Sequence, residues 1–403
     1  MKRHASLLVN LWRGSVHLSR RGLMLGAVLV ILTFTNTAFA LMITDFLIFG
    51  GGDVNIAGAS LYTGNIGSNT DLTIGASETQ VLGSVYVVDT FSMQAPGEIG
   101  TDGSPSFSLE QNLGSVPGVY DPLDVTVVAN TGDFENANAL IYGTLDLVGG
   151  TPSPEPGGTY TSDYTATADT FGGITMTSGV SFTAGGADQE ILNGTPNKTL
   201  ALDDSVKYGA LTAVQDATLE LASGDYYFDR FGTSNSSLGG NLTLKIDLSS
   251  GAPININIVE YAKFGGDTKL LVKGAGTDDE YVRISEAPQL AGLINWNLGG
   301  VFDMTGGDYV ANAPDWTSFF GGTLYSYLFD GPGSGSIGIG QNIDWYGALY
   351  AYDTITLADH SRYTYVPVAM SVVPEPSTAL LLGAGLLGIG VLSRKKKSRK
   401  KAS

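Results

Sequence analysis

Between Met42 and Val368 the chain is written in short runs that alternate apolar and polar residues, most of them bounded by Gly, Asn, Asp or Ser. Examples are Val54-Asn55-Ile56, Leu72-Thr73-Ile74, Val85-Tyr86-Val87, Ile174-Thr175-Met176, Leu242-Thr243-Leu244-Lys245-Ile246, Ile254-Asn255-Ile256-Asn257-Ile258 and Leu270-Leu271-Val272. Successive side chains of a strand point to opposite faces, so each run can bury one face and wet the other. Turn-forming residues on either side complete the strand signal. Helical periodicity is almost missing, and the expectation is an all-β chain.

A local pattern suggests how the strands are arranged. Gly51-Gly52-Asp53 leads into Val54–Ile56, Gly239-Gly240-Asn241 into Leu242–Leu244, and Gly265-Gly266-Asp267 into Leu270–Val272. The last two begin 26 residues apart, a length that suits one solenoid coil with a loop. Stacked coils would give a parallel sheet around an apolar interior. A β-sandwich shares much of this signature and stands as the alternative. One stretch, about Tyr208 to Leu221, has an apolar stripe at helical spacing (Ala210, Leu211, Val214, Leu221) and is expected to be a single flanking helix. The Pro/Gly/Ser-rich segment 149–165 is a loop or break within the β region; its Pro154-Glu155-Pro156 has no apolar span behind it.

Charge is segregated. Residues 1–40 carry five Lys or Arg and residues 394–403 carry seven, neither with a carboxylate. That leaves nine basic residues against all 39 Asp and Glu in the middle, a net charge of −30. Phosphate recognition needs clustered cations, so nucleic acid is not an expected partner. The chain has no Cys, which removes disulfides, thiolate metal sites and Cys nucleophiles.

The ends read as targeting segments. Residues 1–40 form a signal peptide: basic residues through Arg20-Arg21, an apolar stretch from Leu23 to Phe34, and a small-x-small cleavage site at Ala38-Phe39-Ala40. An uncleaved anchor helix is the other reading, and the Arg pair partly resembles a twin-arginine signal. The chain closes on Pro374-Glu375-Pro376, the apolar run Ala379–Leu392 and the basic tail 394–403. In order, these three parts resemble the PEP-CTERM sorting signal of Gram-negative bacteria. The resemblance implies processing by an exosortase-type enzyme at a sorting motif made of Pro374, Glu375 and Pro376. It also implies a passage through the inner membrane and periplasm to the cell surface or extracellular matrix. The apolar run would span about 21 Å as a helix, short of a ~30 Å hydrocarbon core even with its flanks at 377–393. It suits a transient anchor, with the basic tail cytoplasmic.

The intervening region, 41–368, has a second resemblance. The stretch Phe46–Asn69 (FLIFGGGDVNIAGASLYTGNIGSN) is similar to the start of the secreted choice-of-anchor A and ice-binding β-solenoid families. Leu221–Phe228, Ile294–Asn297 and Tyr346–Ala351 resemble later blocks of those families. The resemblance implies a right-handed β-solenoid, often with a helix alongside, in secreted adhesive or surface-binding proteins. Val301–Gly340, rich in Gly and aromatics, departs from both patterns and is read as an insertion.

Chemistry is sparsely signalled. His360 is the single His after residue 40, in Asp359-His360-Ser361, and sequence neighbours do not make a triad. Carboxylate pairs that could serve a glycosidase are Asp203-Asp204, Asp278-Asp279-Glu280 and Asp303 with Asp308. Asp278, Asp279 and Glu280 are also a candidate Ca²⁺ site, since hard oxygen ligands suit that ion. Gly333–Gly338 fits Gly-x-Gly-x-x-Gly without the βαβ context that gives the motif meaning. Threonines between 161 and 183 lack the fixed period that an ice-binding face needs. Aromatic groups at 226–228 and 345–352 could stack on sugars, but alternate members would fill the core of a strand. The expectation is a non-enzymatic structural or adhesive protein associated with exopolysaccharide. The alternatives are a carbohydrate-active enzyme on the same scaffold, or an ice-binding protein.

Overall fold

The computed structural model describes residues 43–75, 79–93, 97–100, 125–130, 134–136, 140–141, 143–148, 159–160, 186–191, 199–204, 206–233, 237–308, 317–327 and 335–368. All of them belong to the compact unit that begins at Ile43. The signal-peptide assignment, most of 149–165 and the whole sorting tail lie outside the described residues.

The described strands form one continuous sheet wound into a parallel β-solenoid with three faces. In the first turns, the first face holds Phe46–Gly50, Asn65–Ser68 and Val85–Val87. The second holds Val54–Ile56, Leu72–Ile74 and Phe91–Met93. The third holds Leu61–Thr63, Thr79–Val81 and Gly97–Ile99. Val54, Leu72 and Phe91 stack in register inside, as do Ile56, Ile74 and Met93. All six are buried, as the alternating runs require. The 26-residue spacing is also a true coil step, because Thr243 pairs with Lys269 and Leu244 with Leu270.

The stack does not follow the order of the chain. Among the described residues, the turns beginning at Phe46 run to Gly143–Val148 and Thr159–Tyr160 at one end. The chain resumes at the far end with Ala187–Ile191 and works back. It finishes against its own first coil, joined on all three faces: Leu349 pairs with Ile48, Ile355 with Val54 and Arg362 with Leu61. The first and last coils therefore meet at a seam inside the stack. There Tyr350 Oη donates to Phe46 O at 2.9 Å, and Tyr365 Oη donates to Thr44 O.

Two expectations need correction. The stretch expected to be a helix is two strands, Lys207–Ala213 and Thr218–Ala222, and helical structure among the described residues is confined to 3-10 turns at Ile43–Asp45 and Pro288–Leu293. Asp216, at φ 59°, breaks the run, and parallel pairing to 187–191 and 199–201 outweighs a chance apolar spacing. The segment Val301–Gly340 is not simply an insertion. It supplies the coil strands Val301–Met304, Ser318–Ser326 and Ile337–Ile339. Phe302 and Phe320 fill the interior, where Phe320 lies 5.1 Å from both Trp296 and Trp345, ring to ring, and Phe302 lies 6.0 Å from Trp345.

Candidate functional site

The second face carries a groove across the seam. Its floor is an in-register row of outward side chains, one per coil: Asp303, Gly338, Thr356, Asn55 and Thr73. Asp303, Thr356 and Asn55 are exposed, and Gly338 and Thr73 are half-buried. The strands alternate strictly here, so the same sequence pattern that buries Val54 and Ile56 turns Asn55 out. Gly338 makes a notch in the row. An added Cβ there would meet nothing closer than Asp303 Oδ1 at 3.8 Å.

One rim is the turn Thr305–Asp308 with Gly340 and Gln341 beside it, and the groove encloses about 800 Å³. That rim is pinned by backbone. Thr305 N donates to Phe264 O at 3.0 Å, Gly307 N to Gln341 O at 2.9 Å and Gly340 N to Met304 O at 2.8 Å. Asp267 Oδ1 accepts from Asp308 N at 3.1 Å. Asp303 and Asp308, paired in the sequence reading, thus line one groove.

The other predicted groups are placed differently. Asp278 and Asp279 both have left-handed backbone, φ 49° and 63°, in a turn closed by Glu280 N donating to Thr277 O at 2.8 Å. Among the described residues no three His, Asp or Glu side chains are grouped to hold a metal ion, and Asp278 and Asp279 lie in a turn. Asp203 also serves a turn: its N–H donates to Tyr208 Oη, which donates back to its carbonyl. His360 occupies a turn at φ 54°, its Nδ1 3.1 Å from Asp359 Oδ2. The neighbouring Ser361 Oγ accepts from Ile343 N and donates to Asp359 O, a backbone role. Of the aromatics, Tyr226, Phe228, Trp345, Tyr350 and Tyr363 are buried, so they are packing residues and not a sugar platform. The threonines between 161 and 183, and the pairs Ala38, Ala40 and Pro374-Glu375-Pro376, lie outside the described residues.

Two clusters escaped the sequence reading. On outward positions of the first face, Asn255 Nδ2 donates to Asp225 Oδ1 at 2.7 Å, and Asn295 Nδ2 to Asn255 Oδ1 at 3.0 Å. In parallel, Asn297 Nδ2 donates to Asn257 Oδ1 at 3.0 Å. The signal was the shared Asn-x-Asn of Asn255–Asn257 and Asn295–Asn297. The second cluster staples the last coil. Arg362 grips Asp344 with two hydrogen bonds, one from Nε at 2.8 Å and one from Nη2, and Tyr346 Oη lies 3.0 Å from both partners. The Asp344 side chain is only 2 % exposed. Burial is the largest influence on Arg362 and would lower its pKa, but the hydrogen bonds and charge of Asp344 outweigh it and hold it above the ordinary value. Burial, then the Asp344 charge, pushes the Tyr346 hydroxyl well up.

A family model described as the PEP-CTERM protein-sorting motif matches residues 372–396. No curated protein and no solved structure matches the chain. The motif marks an exported, surface-directed protein that is sorted by an exosortase. Among the described residues no helix is long and apolar enough to cross a membrane; the apolar run 377–393 lies outside them.

Proposed function

We propose that this protein is a non-enzymatic structural or adhesive component of the cell surface or extracellular matrix, associated with exopolysaccharide. The observation that carries the reading is the coupling of a sorting motif at 372–396 to a domain that is almost wholly sheet, its last described strand ending at Tyr365. A parallel stack in which each coil bonds to the next is a rigid, extended presenter of surface. The turn roles of Asp203, Asp278, Asp279 and His360 support a binding protein over an enzyme.

A second reading draws on one observation: Asp303 and Asp308 share a groove, as two carboxylates of a glycan-cleaving enzyme would. Incubation of the purified protein with the polysaccharide of its own host separates the two. The structural reading predicts no new reducing ends and no unsaturated products. Cleavage that disappears in Asp303→Asn or Asp308→Asn would overturn it. Sorting is tested separately: replacing Pro374-Glu375-Pro376 with three alanines should leave the protein as a cell-associated precursor.

A further inference from the structure

The groove across the seam has a construction that specifies a ligand class. Its floor repeats once per coil, so its polar groups recur along a line at the strand spacing of about 4.8 Å. From Asp303 to Thr73 the row covers five strands, about 19 Å. The groups are a carboxylate, hydroxyls and an amide, on short side chains. They donate and accept hydrogen bonds, while the rest of the exposed lining, with Ala57, Ala358 and several glycines, is more apolar than polar, as the CH faces of sugar rings require. The two acidic side chains of the groove, in a region of net charge −30, repel anionic chains. No Lys or Arg lines it.

We infer that this groove binds an extended, uncharged polysaccharide chain laid across the coils, its hydroxyls meeting Thr73, Asn55, Thr356 and Asp303 in turn. Gly338, between Asp303 and Thr356, leaves room for a sugar ring in the row. The site exists only where the two ends of the chain meet, since Asn55 and Thr73 come from the first coils and Asp303, Gly338 and Thr356 from the last. The inference rests on the matrix-associated reading above and names its ligand class. The two can fail separately: a protein that reaches the surface but binds no uncharged glycan loses this inference and keeps that reading.

Calorimetry on the purified protein tests it. The probes are hexamers of β-1,4-glucan, β-1,3-glucan, α-1,6-glucan and β-1,4-mannan, with deacetylated chitohexaose and an alginate hexamer as charged comparisons. At least one uncharged hexamer should bind, with affinity that rises with chain length up to about four sugars and is indifferent to salt. Gly338→Trp, at a position with room for a Cβ, fills the notch and should weaken that binding at least tenfold. Thr243→Trp, on the third face, should not. Binding of none of the uncharged hexamers would overturn the inference, as would equal binding by Gly338→Trp of unchanged melting temperature. So would a groove-dependent preference for either charged hexamer.

Discussion

The Asp344–Arg362 pair shows what a single residue contributes to the seam. Arg362 belongs to the last described strand, and its partner is almost wholly buried. Removing the guanidinium strands a carboxylate without water or a counter-charge. Arg362→Met should therefore cost about 3–5 kcal/mol in chemical denaturation, and Arg362→Met with Asp344→Leu distinctly less. An equal or larger loss in the double variant would show that the pair's charge is not what matters. Tyrosines give a second test. Burial, then Tyr327 and Tyr365, pushes Tyr325 up to about 12, and burial pushes Tyr350 and Tyr363 further. A hydroxyl whose pKa is higher folded than unfolded stabilises the fold fully below the unfolded value near 10. That stability is lost as pH climbs from about 10 toward 12. From neutral pH upward, melting temperature should hold flat to about pH 10 and then fall, with phenolate absorbance rising together with unfolding. Absorbance that saturates near pH 10 in a still-folded protein would contradict this.

At the scale of elements, the long strands Ser318–Ser326 and Ile343–Ala351 each serve two faces. The front of the second pairs with Arg362–Tyr365 on the third face, and its end pairs with Phe46–Gly50 on the first. The corner falls at Gly322 and Gly347, stacked in register with φ 116° and 137°. A Cβ on Gly347 would sit 2.1 Å from Gly322 O. Gly347→Ala should cost at least about 2 kcal/mol through strain and clash together, read as a shift in denaturant midpoint. Alanine tolerated without loss would mean that the corner lies elsewhere. Strands of this kind were legible only in part. Ile254–Ile258 could be read outright, because a strand's period of two is written locally. Tyr208–Leu221 could not, because four apolar residues at helical spacing look alike whether or not a parallel neighbour waits for them. Ser318–Ser326 was hidden for the opposite reason: being buried along most of its length, it shows no alternation.

The whole molecule turns on the seam, and nothing local in the sequence announces it. Tyr62 and Tyr363, stacked at 5.0 Å with nearly parallel rings inside the solenoid, lie some 300 positions apart in the chain. The sorting motif, by contrast, was fully legible, since targeting depends on consecutive residues and not on what they pack against. Asn55 and Asp303 were each readable as outward polar residues of strands, but their shared groove follows from coil order alone. The absence of Cys makes that order directly measurable. Asn55 and Thr356 are exposed register partners on adjacent parallel strands, about 4.8 Å apart, within the reach of a disulfide. With both changed to Cys, the exported protein should form an intramolecular disulfide under mild oxidation, seen as a mobility shift on a non-reducing gel. Cysteines at 73 and 356, two strands apart, should not cross-link. Failure of the 55–356 pair to close in a folded protein would contradict the seam, and with it the groove that crosses it.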